Sequence, residues 1–377
     1  MNIRHTSKSS GASRTFFAFP AFLASAGRRR AALLPAILIG MANLVAGPTP
    51  VRAADHVRVL SQNMYVGSDF TALNTAKTVP EFLAAVTTTY QNILARKPEE
   101  RVAAMAREIA KARPDFVALH EAMILRSGNP PTTVKMDLLQ SMLDELAALG
   151  EHYALVTTVN GVDAAAPSTL GFTVRLTDRD AILMRTDAGI ATIEVTSRSF
   201  PTPRITPTPV GPLVTPGGYV SIDAIVRGLP MRFVSVHLDP ACSASQCDPA
   251  ALAIQLQQTN ELLQLAGNTT LPLVFAGDFN TAANDPLHPS YVIYQALINA
   301  GLTDVWERQD AGFTCCQDED LLNLKSKLSV RIDLVLFRGD FDVGEVNRIG
   351  DKPSDKTPSG LWPSDHAGVT ATLTGPE

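Results

Sequence analysis

The four apolar residues Leu273-Val274-Phe275-Ala276 run without a polar break into Gly277 and then reach Asp278, Phe279 and Asn280. A run this short, with no helical period, reads as a buried β-strand that stops at a glycine. Burial accounts for the apolar half and leaves the polar end to be explained. Side chains alternate along an extended chain, so Asp278 and Asn280 would point the same way, and a carboxylate beside a carboxamide suits phosphate or metal chemistry. A strand closed by an Asx turn is the competing reading, because Gly, Asp and Asn are ordinary turn residues.

The composition sets outer bounds. The chain has 377 residues, a formal net charge of -5, 45% hydrophobic and 18% charged residues, which excludes a disordered chain and a strongly basic one. It therefore lacks the global positive field of non-specific nucleic-acid binders. A polyanionic substrate would be met locally, with a metal.

Residues 1–53 read as an export signal rather than fold. Arg28-Arg29-Arg30 precedes the apolar stretch Ala31 to Ala46, and Val51 and Ala53 are the small residues expected ahead of a cleavage point. The pair Arg29-Arg30 resembles a twin-arginine signal, with a general export route as the alternative. The apolar stretch falls short of the ~20 residues that span hydrocarbon. The mature chain, residues 54–377, is then expected to be one catalytic domain, secreted or periplasmic, without stable membrane insertion and with no protein partner indicated. Export favours disulfides over free thiols. Of the connectivities open to Cys242, Cys247, Cys315 and Cys316, a Cys242–Cys247 bridge is favoured, with the adjacent Cys315 and Cys316 free or bridged to each other.

Along the chain, Val57 to Asn63 alternates like a strand. Pro98 to Arg113 has Val102, Met105 and Ile109 at helical spacing, with Glu99 and Glu100 at the favourable end. Phe116 to Leu119 is a short apolar strand delivering His120 and Glu121. A helix is expected over 133–148, strands over 153–159, 181–184, 190–195 and 219–226, and an irregular, proline-rich loop over 200–218 that is either a functional edge or plain surface. Met231 to His237 is an apolar strand, Asp248 and Pro249 start a helix, another helix lies around 291–300, and strands run over 331–337 and 364–373.

Six strand ends therefore carry polar groups: Asn63, Glu121, His237, Asp278 with Asn280, Asp333, and Asp365 with His366. Loops at convergent strand ends are where rigid scaffolds place ligand sites. Carboxylate and carboxamide oxygens suit Mg²⁺ or Mn²⁺, and histidines suit proton transfer near neutral pH.

Gly277-Asp278-Phe279-Asn280, Arg331-Ile332-Asp333 before a hydrophobic strand, and Ser364-Asp365-His366 with Gly368-Val369 resemble the endonuclease/exonuclease/phosphatase superfamily, and the order holds from residue 57 to 374. That superfamily includes pancreatic-type deoxyribonucleases, abasic-site endonucleases, neutral sphingomyelinases and inositol phosphatases. The resemblance implies a four-layer α/β sandwich, two packed mixed β-sheets flanked by helices. It also implies a Mg²⁺- or Mn²⁺-dependent phosphoesterase whose substrate is a nucleic acid, a phospholipid head group or an inositol phosphate. Glu121 would be the main metal ligand, completed or supported by Asn63 and Asp365. His366, oriented by Asp333, would act as base or stabilise charge; Asp278 would position the attacking water; Asn280 would bond a phosphate oxygen; His237 would be acid or phosphate donor. Two positions depart from the family pattern. His120 stands where Gln usually precedes the metal-binding glutamate, which alters a contact behind that ligand. Asp180, in Arg179-Asp180-Ala181, stands where many members carry Asn, and would either hold His237 in its tautomer or sit in a surface turn. Arg175, Arg179 and Arg204 are candidate phosphate clamps or solvated surface residues, and Trp306 reads as packing.

Overall fold

The computed structural model describes residues 56–242, 247–306 and 312–375, which lie within one compact unit spanning residues 52–377. The export signal expected over 1–53 lies outside the described residues. Among the described residues, no helix is long and apolar enough to cross a membrane.

Two large sheets carry the fold. In the first, the strands run in the order Asp342–Ile349, Gly368–Thr374, His56–Asn63, Phe116–His120, Thr173–Arg185, Ile124–Gly128, Thr133–Asp137, with Tyr153–Pro167 also paired to Thr173–Arg185. In the second the order is Thr303–Asp304, Asp333–Arg338, Leu273–Asp278, Leu229–His237, Gly218–Val226, Ile190–Ser199. Each sheet has one parallel pair at its heart, His56–Asn63 with Phe116–His120 and Leu229–His237 with Leu273–Asp278, and antiparallel neighbours outside it. A parallel pair needs a crossover. In the first sheet it contains the helices Val79–Ala95 and Pro98–Ala112; in the second, Pro249–Gly267.

The sheets pack face to face through Val57, Val59, Phe116 and Ile182 on one side and Val220, Ile222, Phe233 and Val335 on the other. Phe116 stacks on Phe233 with centroids 5.0 Å apart. Burying one such ring contributes about 1.5–3 kcal/mol, and the stacking about 0.5–1.5 more. The outer face of the first sheet is covered by Ile93, Met105, Ile109 and Met142 from its helices, that of the second by Leu262, Ile293 and Leu297. Helix, sheet, sheet, helix is the four-layer α/β sandwich that the resemblance implied.

Local differences have local causes. The stretch 133–148 is not one helix: Thr133–Asp137 is an edge strand, and the helix Leu138–Ala148 starts where Asp137 caps the Gln140 amide at 3.1 Å. The β-branched Thr133 and Val134 favour the strand, and a capping aspartate ends it. The 200–218 stretch is not structureless: Arg204–Thr206 and Leu213–Thr215 pair as a small ribbon around its proline-rich tip. The helix Val79–Ala95, with a full Thr78/Glu81 capping box, and the strand Asp342–Ile349 are absent from the sequence reading. Strands expected over 153–159 and 181–184 extend to Tyr153–Pro167 and Thr173–Arg185, because their outer halves form a partly exposed hairpin whose residues carry no clean apolar period.

Candidate active site

Register explains why separated polar residues meet. In the second sheet His237 is paired with Asp278 and Asp278 with Asp333, so three candidate residues lie side by side across neighbouring strands. In the first sheet Asn63 is level with His120, one residue before Glu121. Gly277 makes the parallel pairing possible: a Cβ there would collide with the Val236 carbonyl. Asp333 and His366 arrive at the same rim from the amino ends of antiparallel strands, the others from carboxyl ends.

Asp278 is at the centre. Its Oδ2 accepts from Asn63 Nδ2 at 3.1 Å and lies 3.9 Å from both His237 Nε2 and His366 Nδ1. Its Oδ1 accepts from the Asn280 amide at 2.9 Å, while Asn280 turns into the left-handed region with φ 49°. The Asx turn and the candidate pair are thus the same structure; strand alternation does not continue through Asn280. Asn280 Nδ2 donates to the Leu238 carbonyl at 2.8 Å.

Asn63 Nδ2 also donates to Glu121 Oε1 at 3.0 Å, and its Oδ1 accepts from the Tyr65 amide. Asn63 is therefore an orienting group that ties Glu121 to Asp278. Glu121 itself has φ 56°, unusual for a residue without glycine's freedom or asparagine's local bonding. Its other oxygen accepts from the Val66 amide at 2.8 Å, which holds the carboxylate towards the cleft. Strain of this kind costs ~1–3 kcal/mol and persists where the surroundings over-determine it.

Each catalytic imidazole candidate has a carboxylate behind it. Asp333 Oδ2 is 2.8 Å from His366 Nδ1, and Asp180 Oδ1 is 3.1 Å from His237 Nδ1. Asp180 is buried on its strand, so it is the partner of His237 rather than a turn residue. Burial opposes charge on both rings, but Asp180 and Asp278 around His237, and Asp333, Asp365 and Asp278 around His366, outweigh it and hold both well above the ordinary imidazole range. Burial pushes the Asp365 carboxyl up to about 7, with His366 pulling it down and Glu121 adding to the rise.

His120 lies fully buried behind the site, its Nε2 3.1 Å from Ser235 Oγ and its Nδ1 without a hydrogen-bond partner among the described residues. Its ring sits edge-on to His237 at 5.7 Å. Burial, followed by the charges of His237 and His366, holds it well below its ordinary range. The sign for stability follows: below about pH 6.5 the unfolded chain protonates this residue and the folded chain does not. His120→Gln is therefore expected to remove up to ~1.4 kcal/mol per pH unit of acid destabilisation. Urea midpoints compared between pH 7 and 5 measure it, and parallel acid limbs in variant and wild type would show that His120 titrates normally.

Four supporting residues escaped the sequence reading. Arg101, fully buried, donates to the carbonyls of Met64, Tyr65, Arg96 and Pro363, clamping the loops that carry Asn63 and Asp365. Thr314 Oγ1 accepts from the amides of Ile332 and Asp333, both at 3.0 Å. Gln255 holds the carbonyls of Phe279 and Asn280. Asp178, two residues before Asp180 and on the same strand face, lines the cleft; burial and then Asp180 raise its carboxyl to about 8. Their signals were present but weak: Arg101 shares the i, i+4 row of Met105 and Ile109, and Gln255 lies on the buried stripe of its helix. Of the candidate clamps, Arg175 is paired with Asp163, Arg179 with Asp137 and the Ala122 carbonyl, and Arg204 donates to the Pro240 carbonyl at the cleft wall. Trp306 packs in the inter-sheet core. Both disulfides form, Cys242–Cys247 and Cys315–Cys316.

The donor set fits a divalent cation. Glu121 and Asp365 bring hard oxygens into a buried region, and the hydrogen bonds of Arg101 beneath them go to backbone carbonyls rather than to carboxylates. A cleft of about 1190 Å³ opens above the site, and Glu121, His237, Asp278, Asn280 and His366 all line it.

Residues 63–366 match the model of the endonuclease/exonuclease/phosphatase family. The chain belongs to that family, whose members are hydrolases acting on phosphoester bonds and generally use divalent metals, commonly Mg²⁺. Similar solved folds include a family protein from Leptotrichia buccalis, at 16% identity and TM-score 0.51 over 84% of this chain and 99% of that one. Another, from Beutenbergia cavernae, has 18% identity and TM-score 0.53 over 85% and 72%. D. rerio TDP2 complexed with single-strand DNA product has 18% identity and TM-score 0.50 over 85% and 99%. No curated protein matches the sequence.

Proposed function

We propose that this chain is an exported, Mg²⁺- or Mn²⁺-dependent phosphodiesterase that acts on a phosphodiester such as nucleic acid by in-line attack of water. The supporting observation is the position of the Asp278 carboxylate, 3.9 Å from each of two histidines that are themselves backed by carboxylates. Glu121 and Asp365, with Asn63 orienting Glu121, would hold the cation, which supplies charge neutralisation at the phosphoryl oxygens. With Nδ1 held by Asp333, His366 presents Nε2 to the substrate, and the surrounding carboxylates favour its cation, so it serves as a charged donor to the phosphate. His237 presents Nε2 in the same way and is the proton donor to the leaving oxygen. Asp278 is the remaining anion between them and orients the water. Asn280, which lines the same cleft, would contact the phosphate.

The TDP2 relative solved with single-strand DNA product supports nucleic acid as the first substrate class to test. A second reading comes from the cleft itself, whose lining includes the apolar side chains Phe70, Leu73, Phe82, Val86 and Leu176. Apolar side chains in the lining of the same cleft favour a phosphoester carrying a hydrophobic group, as in sphingomyelin or another phospholipid, over an inositol phosphate. A catalytically silent binding module is disfavoured by the two complete carboxylate–histidine pairs.

Purified mature protein assayed on an aryl phosphodiester, DNA, RNA, sphingomyelin and inositol phosphates is expected to hydrolyse at least one diester. Chelator is expected to abolish that activity and Mg²⁺ to restore it. Inactivity on every substrate sinks the enzymatic reading, and activity indifferent to chelator sinks the metal.

A further inference from the structure

We propose that Cys315, Cys316 and His366 form a second metal site in the cleft, one that takes a thiophilic divalent cation such as Zn²⁺ or Cd²⁺ when the cysteines are reduced and that removes His366 from catalysis. The two sulfurs and a ring nitrogen of His366 all lie within 4.8 Å of one another. Backbone pairing holds the main chain of this segment beside His366 independently of the bridge: Cys315 pairs with both Val330 and His366, the Cys315 amide donates to Val330, and the amides of Gln317 and Ala367 tie the flanks to Asp365 and Thr314. Cys316 is exposed while Cys315 is buried, so a cation can enter from solvent and be held against the wall. Asp333 occupies His366 Nδ1, which leaves Nε2 for a ligand and gives the carboxylate–histidine–metal arrangement that sharpens imidazole binding.

Ligand softness separates this site from the hydrolytic one. Two thiolates and an imidazole select Zn²⁺ or Cd²⁺, whereas the oxygens of Glu121 and Asp365 select Mg²⁺ or Mn²⁺. A phosphine or dithiol reductant adds two electrons and two protons across the Cys315–Cys316 bond to give two thiols. The cation then displaces both thiol protons to solvent, and its fourth position stays open to water.

Loss of activity on binding rests on the hydrolytic reading above, whereas the binding itself does not, and the experiment keeps the two apart. The chain has four cysteines, so in Cys242→Ser/Cys247→Ser the only thiols are Cys315 and Cys316. This variant, reduced with a phosphine and freed of it under anaerobic conditions, is titrated with Co²⁺. A thiolate-to-cobalt charge-transfer band saturating at one equivalent is expected; Co²⁺ held by carboxylates gives no such band. His366→Asn should weaken the affinity at least ~10-fold, and Cys316→Ser, a change at an exposed position, should remove the two-thiolate band while keeping the melting temperature. One equivalent of Zn²⁺ is expected to lower turnover at saturating Mg²⁺ at least ~10-fold in the reduced Cys242→Ser/Cys247→Ser variant and to spare its oxidised form. Absence of the band in that variant, or an unchanged band in Cys316→Ser, overturns the site. A band without inhibition overturns the claim on His366.

Discussion

Asp278→Asn is expected to lower kcat by at least ~100-fold with the melting temperature held within a few degrees of wild type. The substitution keeps the volume of the side chain and, with its carbonyl towards the Asn280 amide, keeps the 2.9 Å turn bond. What disappears is the anion 3.9 Å from both imidazoles, together with the Oδ2 acceptor of the Asn63 Nδ2 bond. Two consequences follow in the same direction. Water at the centre of the cleft loses its acceptor, and the two histidines lose one of the charges that sustain their cationic forms. Since Asp180 and Asp333 remain, substrate binding should fall less than turnover, so the split between KM and kcat identifies an effect on the chemical step. His366→Ala should show a loss of similar size. The two losses should not multiply in the double variant, because both act on one charged unit. A near-normal rate in either single variant shows that the position has no part in the chemistry.

The sandwich was legible because its central strands are short, apolar and unbroken: Phe116 to Leu119 and Leu273 to Ala276 can only be buried between layers. Their polar ends stood out against that background, which is why Glu121, His237 and Asp278 were candidates from the chain alone and why the fold brings them to one cleft. The hairpin Tyr153–Pro167 with Thr173–Arg185 was only partly legible, since its outer half is neither fully buried nor cleanly alternating. The Thr133–Asp137 edge strand was hidden because a helical apolar stripe from Leu138 onward absorbed it. Asp180 carried two readings until the fold buried it behind His237. Gln255 and Thr314 were illegible for another reason: each acts through backbone groups of a distant segment, and a sequence does not say which carbonyls and amides will need partners. Apolar stripes explain the helices without asking what a lone polar residue on the stripe is for.

Arg101 is the strongest example, and Arg101→Met is expected to destabilise the protein by about 3 kcal/mol or more. Burial lowers the guanidinium pKa to about 10, with Asp365 opposing the fall, so the group remains a cation at neutral pH. A buried charge of this kind is costly, but its hydrogen bonds reach four carbonyls, those of Met64, Tyr65, Arg96 and Pro363. Methionine fills much of the volume and leaves those carbonyls without their donor at about 1–3 kcal/mol each, partly offset by the desolvation no longer incurred. Lysine keeps the charge but not the planar fork, and should recover only part of the loss. Because Met64 follows Asn63 and Pro363 precedes Ser364, whose hydroxyl bonds the Asn63 carbonyl at 2.8 Å, the same substitution loosens Asn63 and Asp365 together. Mg²⁺ should then be needed at higher concentration for half-maximal activity, even at temperatures where the variant is fully folded. The urea midpoint tests the first effect and the Mg²⁺ dependence of the rate tests the second. An unshifted Mg²⁺ dependence alongside a lowered midpoint would confine Arg101 to stability.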